Sequence, residues 1–211
     1  MTEVVPYWPR VAALVVLLSA IAAADLAKHG KRATRWREYS FILVAGLAAG
    51  LFGLVNDLIT STISPQYFTL GKGLPARALR QSAAELGLRA GSSAGVIAAA
   101  VMVYAATRGT RRPPFPIRSL CLLTWRPFVL AAGFGVVFPL LFSESDPLAI
   151  TSNVEDLLRP SEVARLVTVW WIHLGLYLGL LAGVVWTVLD VAGKRRRGGA
   201  SGERAAASAG G

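Results

Sequence analysis

The sequence predicts an all-α protein, a polytopic transmembrane bundle of about five helices. The 211 residues are 54% hydrophobic and only 16% charged, whereas typical soluble domains contain about 25% charged residues. The mean hydropathy is +0.52, and the apolar residues gather into five runs separated by polar stretches. Because a helix satisfies its own backbone hydrogen bonds in lipid, such runs favour spanning helices.

The five predicted spans differ in how well they fit a bilayer. They cover residues 9–27, 39–60, 88–107, 127–142 and 163–191. A spanning helix needs about 20 apolar residues. The first run is adequate, and the second, third and fifth meet this length comfortably. The fourth run is short and contains Pro139, so it is either a kinked span or a re-entrant segment.

The basic residues predict how the chain is oriented. The formal net charge of +10 comes mainly from Lys and Arg in residues 28–37, 108–126 and 194–197. The positive-inside rule places these stretches together on the cytoplasmic side. The expected location is therefore a bacterial cytoplasmic (inner) membrane, with the N-terminus outside and a basic, disordered cytoplasmic tail at 194–211. The loop with Lys72, Arg77 and Arg80 fits the rule less well, because it falls outside.

The same charge distribution bears on partners and cofactors. Basic residues that flank apolar runs are typical of membrane loops, so we expect the lipid bilayer as a partner and no nucleic acid. The sequence has one cysteine, Cys121, and two distant histidines, His29 and His173. It contains no CxxC, HExxH, GxGxxG or Walker pattern, so no metal or cofactor is expected.

Small residues at spacings of three or four predict close helix packing. They occur in three of the predicted spans, as Gly46, Gly50 and Gly53, as Gly91, Gly95 and Ala99, and as Gly175, Gly179 and Gly183. These faces fit packing within one chain. They fit a homo-oligomer or another membrane partner equally well.

A carboxylate near the end of the second span raises the central question. Asp57 begins the stretch DLITSTISPQYF, and at about 100° per residue it shares a face with Gly46, Gly50 and Gly53. It should therefore face protein. A negative charge near a helix C-terminus opposes the macrodipole, so Asp57 needs compensation, and Arg89 is the expected partner. In the last span, His173 and Tyr177 share the face opposite the glycines.

These positions predict one polar site near the outer face of the membrane. Its candidate members are Asn56, Asp57, Thr60, Arg89, His173 and Tyr177. Downstream, Ser64-Pro65 should end the helix, with Tyr67 and Phe68 as interfacial anchors. Residues 76–88 are expected to form a surface helix.

The stretch NDLITSTISPQYFT resembles a family of uncharacterised bacterial polytopic membrane proteins. The family motif is approximately (His/Asn)-Asp-x-Ile/Val-Thr followed by Ser/Cys-Pro-Glu-Tyr-Phe-Thr, and the last span tends to carry a histidine and a tyrosine, as His173 and Tyr177 do here. Gln66 departs from the motif, which has glutamate at that position. No established activity comes with the resemblance, so it marks the site without assigning a reaction.

The sequence is compatible with three interpretations of the polar site. The residues tie helices together, they line a path for a substrate or ion, or they form a membrane-embedded enzyme with Asp57 or His173 as acid and base. The leading expectation is an integral membrane protein that serves as a small transport or accessory component. The enzyme is the alternative.

The predicted orientation can be tested at Cys121. If the loop that contains it is cytoplasmic, Cys121 resists a membrane-impermeant thiol reagent in intact cells and reacts with it in inverted membrane vesicles. Labelling in intact cells would overturn the five-span orientation.

Overall fold

The computed structural model describes residues 6–107, 115–144 and 157–209 and confirms the all-α helical bundle. Within these ranges no strand occurs. The helices are α1 (Tyr7–His29), α2 (Arg35–Ile63), α3 (Leu79–Thr107), α4 (Ile117–Cys121), α5 (Trp125–Phe142) and α6 (Pro160–Ala209). Counting α4 with α5, the described chain has five helical segments that are long and apolar enough to cross a bilayer.

All five spanning helices extend beyond the predicted spans, and the differences at α3, α5 and α6 change how the sequence is interpreted. Helix α3 begins at Leu79, so most of the expected surface helix instead forms about the first three turns of α3, where Ala83 is completely buried. Helix α5 continues through Pro139. Together, α4 and α5 form a segment of 26 residues, which is long enough to span a bilayer. Helix α6 continues to Ala209, past residue 194, where the sequence predicts the start of a disordered tail.

Two tightly packed helix pairs form the bundle, α2 with α3 and α5 with α6. Glycines make both contacts possible. A Cβ on Gly53 would collide with the Gly87 carbonyl, and one on Gly91 would collide with that of Ala49. In the other pair, a Cβ on Gly179 would collide with the Leu130 carbonyl. The predicted glycine faces are therefore covered within the chain.

Far fewer contacts cross between the two pairs. At the end of the bundle where α2 begins and α3 ends, an apolar cluster joins α2, α3, α4 and α6; its buried members are Phe41, Ile42, Ala99, Met102, Val103, Ala106, Leu120, Val184 and Val191. There the buried Arg195 also donates from Nη1 to the Ala105 carbonyl at 2.7 Å. The opposite end, where α2 ends and α3 and α6 begin, is called the Asp57 end below.

Helix α1 lies on the periphery and has no buried residue. It is tied to α2 through Asp25, whose Oδ2 accepts hydrogen bonds from the backbone N–H groups of Thr34 and Arg35 at 3.0 and 2.9 Å. Free N–H groups at a helix start need such an acceptor. The Asp25 carboxylate therefore caps α2 from the preceding helix.

An ion pair fixes α5 on α6, and the sequence patterns did not predict it. Arg126 Nη1 donates to Asp190 Oδ2 at 2.7 Å, and the guanidinium lies over the Trp186 ring, 4.4 Å from its centroid. Both interactions hold the start of α5 against the last turns of the α6 span.

A bulky residue in a glycine contact should separate the helix pair. We expect Gly91→Leu to destabilise the protein by at least about 1–3 kcal/mol, the usual range for overpacking, because the new Cβ meets backbone. Thermal unfolding in detergent micelles measures this. The matched control is Gly133→Leu on α5, where a Cβ meets nothing within 4 Å, and it should not lower stability. Equal melting temperatures for both variants would refute glycine-dependent packing.

Candidate functional site

The Asp57 end brings together a carboxylate, an imidazole and an amide. Asp57 Oδ1 lies 3.0 Å from His173 Nε2 and accepts a hydrogen bond from Asn56 Nδ2, also at 3.0 Å. The same amide nitrogen lies 3.4 Å from His173 Nε2. Asp57 and His173 are each only 6% exposed. The contact joins α2 to α6, and so links the two helix pairs.

Hydrogen-bond chemistry determines how protons are arranged in this contact. His173 Nδ1 lies 2.9 Å from the Val169 carbonyl oxygen. A carbonyl only accepts, so Nδ1 carries a proton and donates it. Nε2 then faces the carboxylate oxygen at hydrogen-bond distance, and two bare lone pairs would repel each other there. The contact therefore holds one proton, as imidazolium with carboxylate or as imidazole with carboxylic acid, and the pair is neutral in either form.

Two aromatic residues cover the imidazole. The Tyr67 ring stacks on His173 with centroids 4.8 Å apart and planes 22° apart, and Phe68 presents its edge at 6.0 Å. Tyr67 and Phe68 are 6% and 0% exposed. The expectation that they anchor the chain at the membrane interface was therefore wrong. They pack inward because Ala83, Leu166 and Val169 form an apolar surface for them.

The turn after α2 positions the Tyr67 and Phe68 rings at the site. Ser64 has extended backbone angles, as the residue before a proline prefers. Its Oγ accepts a hydrogen bond from the Tyr67 N–H at 3.2 Å, and the Leu74 N–H donates to the Phe68 carbonyl at 3.0 Å. The chain thus folds back toward α6. We call residues 64–74 the covering turn.

Gln66 fastens the covering turn to the start of α6. Its Nε2 donates to Glu162 Oε1 at 3.0 Å, while Glu162 Oε2 accepts from the Arg159 N–H. A glutamate at position 66, as in the motif that this stretch resembles, would place two carboxylates against each other. The Gln66 amide can donate a hydrogen bond to the Glu162 carboxylate, which a second carboxylate could not do.

Burial raises the pKa of the Tyr67 phenol above its ordinary value, and the neighbouring Tyr177 and Asp57 raise it further. The ring that stacks on His173 is consequently the un-ionised phenol at physiological pH. A neutral π-face adjacent to the imidazole also suits its protonated form, because a cation over an aromatic ring is attracted to it.

A cavity of about 80 Å³ lies beside the pair, between the two helix pairs. Asn56, Asp57, His173 and Tyr177 contribute to its wall, and most of the rest is apolar, including Phe52, Phe128, Leu176 and Leu180. This volume is enough for a few water molecules or a small solute. The carboxylate and the imidazole therefore border a space that a small molecule can occupy.

The other predicted site residues occupy different places. Thr60 is 1% exposed and donates to the Asn56 carbonyl at 2.8 Å, so it shapes α2 beneath the site. Tyr177 lines the cavity one turn from His173 and is 53% exposed.

The expected Asp57–Arg89 pair does not form, and Arg89 lies outside the site. Its guanidinium pairs with Glu85 on the same helix and lies over the Tyr7 ring of α1. The reason is geometric: Gly87 is the α3 residue that packs against Asp57 Cβ, and Arg89, two residues on, points about 200° away from it.

Tyr67, Phe68 and Gln66 belong to the site, although sequence reasoning did not include them among its members. Their position shortly after Asp57, inside the same motif, is the sequence signal from which they could have been identified. Within the described ranges, no three His, Cys, Asp or Glu side chains gather closely enough to hold a metal ion.

Comparisons with protein-family models, with curated proteins and with solved structures found no match to this chain.

Proposed function

We propose that this chain is a small transport or accessory component of a bacterial cytoplasmic membrane that handles protons at Asp57 and His173. The proposed orientation has the N-terminus outside, the C-terminus in the cytoplasm and the Asp57 end toward the outer face. The positive-inside distribution of Lys and Arg supports this orientation.

One observation carries the proposal: the Asp57–His173 hydrogen bond is buried and borders a cavity. Ionisable groups within a membrane protein are costly and are often part of ion or proton pathways. A contact that holds one proton between two titratable atoms stays neutral and avoids that cost. It also exchanges its proton with anything small that reaches the cavity.

The architecture supplies a reason for the proton to affect conformation. Each helix pair is held together internally by glycine contacts, whereas far fewer contacts join one pair to the other. Loss of the shared proton leaves a carboxylate facing a lone pair, and this repulsion weakens the contact between the two helix pairs. We therefore propose that proton release favours separation of the pairs and that proton binding favours their closure.

A membrane-embedded enzyme is the second candidate, because the cavity places a small substrate within reach of an acid and a base. In that case Asp57 and His173 are the general acid and base. The two proposals differ in one property: a proton pathway needs access from both sides, and an enzyme needs only one.

Proton movement through the protein tests the lead proposal. Liposomes containing the reconstituted protein and an internal pH-sensitive dye are subjected to a potassium diffusion potential. We expect faster internal acidification than in protein-free liposomes. The variants Asp57→Asn and His173→Gln should lose at least about 90% of this excess rate, because neither can share the proton.

The control for this experiment is Glu85→Gln, which removes an exposed carboxylate at the same end of the bundle and should behave like the wild type. A wild-type rate equal to that of protein-free liposomes would contradict the pathway. An unchanged rate in Asp57→Asn at equal incorporation would contradict the role of the pair.

A further inference from the structure

A large groove at the end opposite Asp57 has no role in the proton site. It is about 1180 Å³ and lies between the start of α2 and the α4 region. Its wall includes Trp36, Arg37, Phe41, Val44, Ile117 and Arg118. We call it the α2–α4 groove.

The groove has a basic mouth. Arg37 and Arg118 are both exposed, and neither has a carboxylate within salt-bridge distance among the residues that the structure describes. Glu38 also lines the groove, but Arg35 pairs with it at 3.0 Å. The charge left over at the mouth is therefore positive, and it complements an anion.

Beyond the mouth the wall is apolar and follows α2. Phe41, Val44, Ala45 and Ala48 line it in succession, with Val44 66% exposed. From Arg37 to Ala48 the distance along the helix is about 16 Å, at 1.5 Å per residue. Half of a hydrocarbon core of about 30 Å is about 15 Å. The apolar stretch thus matches the depth of one lipid leaflet.

We propose that the α2–α4 groove binds a single anionic phospholipid. Its acyl chain lies along Phe41, Val44 and Ala48, and its phosphate headgroup lies between Arg37 and Arg118. Guanidinium groups recognise phosphate oxygens through paired N–H donors. The adjacent Trp36, 46% exposed, suits the headgroup level, where tryptophan is enriched. This inference is independent of the proton-handling proposal.

Native mass spectrometry of the full chain in detergent tests the groove. The probes are dioleoylphosphatidylglycerol and dioleoylphosphatidylcholine, which share acyl chains and differ in headgroup charge. We expect the wild type to retain the anionic lipid in preference. Arg37→Gln with Arg118→Gln should weaken its binding roughly 30-fold, equivalent to about 1 kcal/mol per arginine near a membrane surface.

Two further variants distinguish lipid binding in the groove from non-specific attraction of the lipid to basic residues. Arg77→Gln with Arg80→Gln removes two exposed arginines outside the groove and should change binding by less than about threefold. Ala48→Phe fills the apolar part of the groove while both arginines remain, and it should also weaken binding of the anionic lipid. If the double groove variant fails to fold, Arg118→Gln alone should still weaken binding about fivefold.

Equal retention of the two lipids by the wild type would overturn the proposal. The same loss in the Arg77/Arg80 variant as in the Arg37/Arg118 variant would also overturn it, because attraction would then depend on net charge alone.

Discussion

The hydrogen bond between Asp57 and His173 is the contact on which the Asp57 end of the bundle depends. It joins α2 of one helix pair to α6 of the other at 3.0 Å, in surroundings where an unpaired charge would be expensive. Sharing one proton makes the pair neutral. The Val169 carbonyl fixes the imidazole from the other side, and the covering turn excludes solvent from it. Geometry, charge and burial therefore reinforce one another at this point.

Glycine packing explains why a single polar contact has this importance. The α2–α3 and α5–α6 contacts bring backbones together so closely that a Cβ cannot be added at Gly53, Gly91 or Gly179. Close backbone packing therefore holds each pair together, and far fewer contacts join one pair to the other. An apolar cluster joins the pairs at the end where α2 begins. At the Asp57 end a second apolar cluster, which includes Phe68, Ala83 and Val169, lies beside the Asp57–His173 pair, so this end also contains groups that can respond to protons.

More of the fold than of the site could be predicted from the sequence. Hydropathy indicated the helices, and the glycine spacing indicated which helix faces pack closely, since both features depend only on composition and helical periodicity. The shared face of Asp57 and the glycines indicated that the carboxylate points into the protein. Its partner was not predictable: Arg89 was expected because it begins the third predicted span at the level of Asp57, but its side chain leaves α3 on the side away from Asp57. The inward fold of Tyr67 and Phe68 depends on tertiary contacts with α6, which no local pattern shows.

A double-mutant cycle on Asp57 and His173 measures how strongly this hydrogen bond couples the two helix pairs. In mixed micelles, Asp57→Ala is expected to lower the free energy of unfolding by about 3 kcal/mol, as loss of one partner of a buried pair does. The double variant with His173→Ala should cost less than the sum of the singles, leaving a coupling of about 1–3 kcal/mol. The same cycle on the exposed Glu85–Arg89 pair should give below about 0.5 kcal/mol. A coupling near zero between Asp57 and His173 would show that their hydrogen bond does not hold the two helix pairs together.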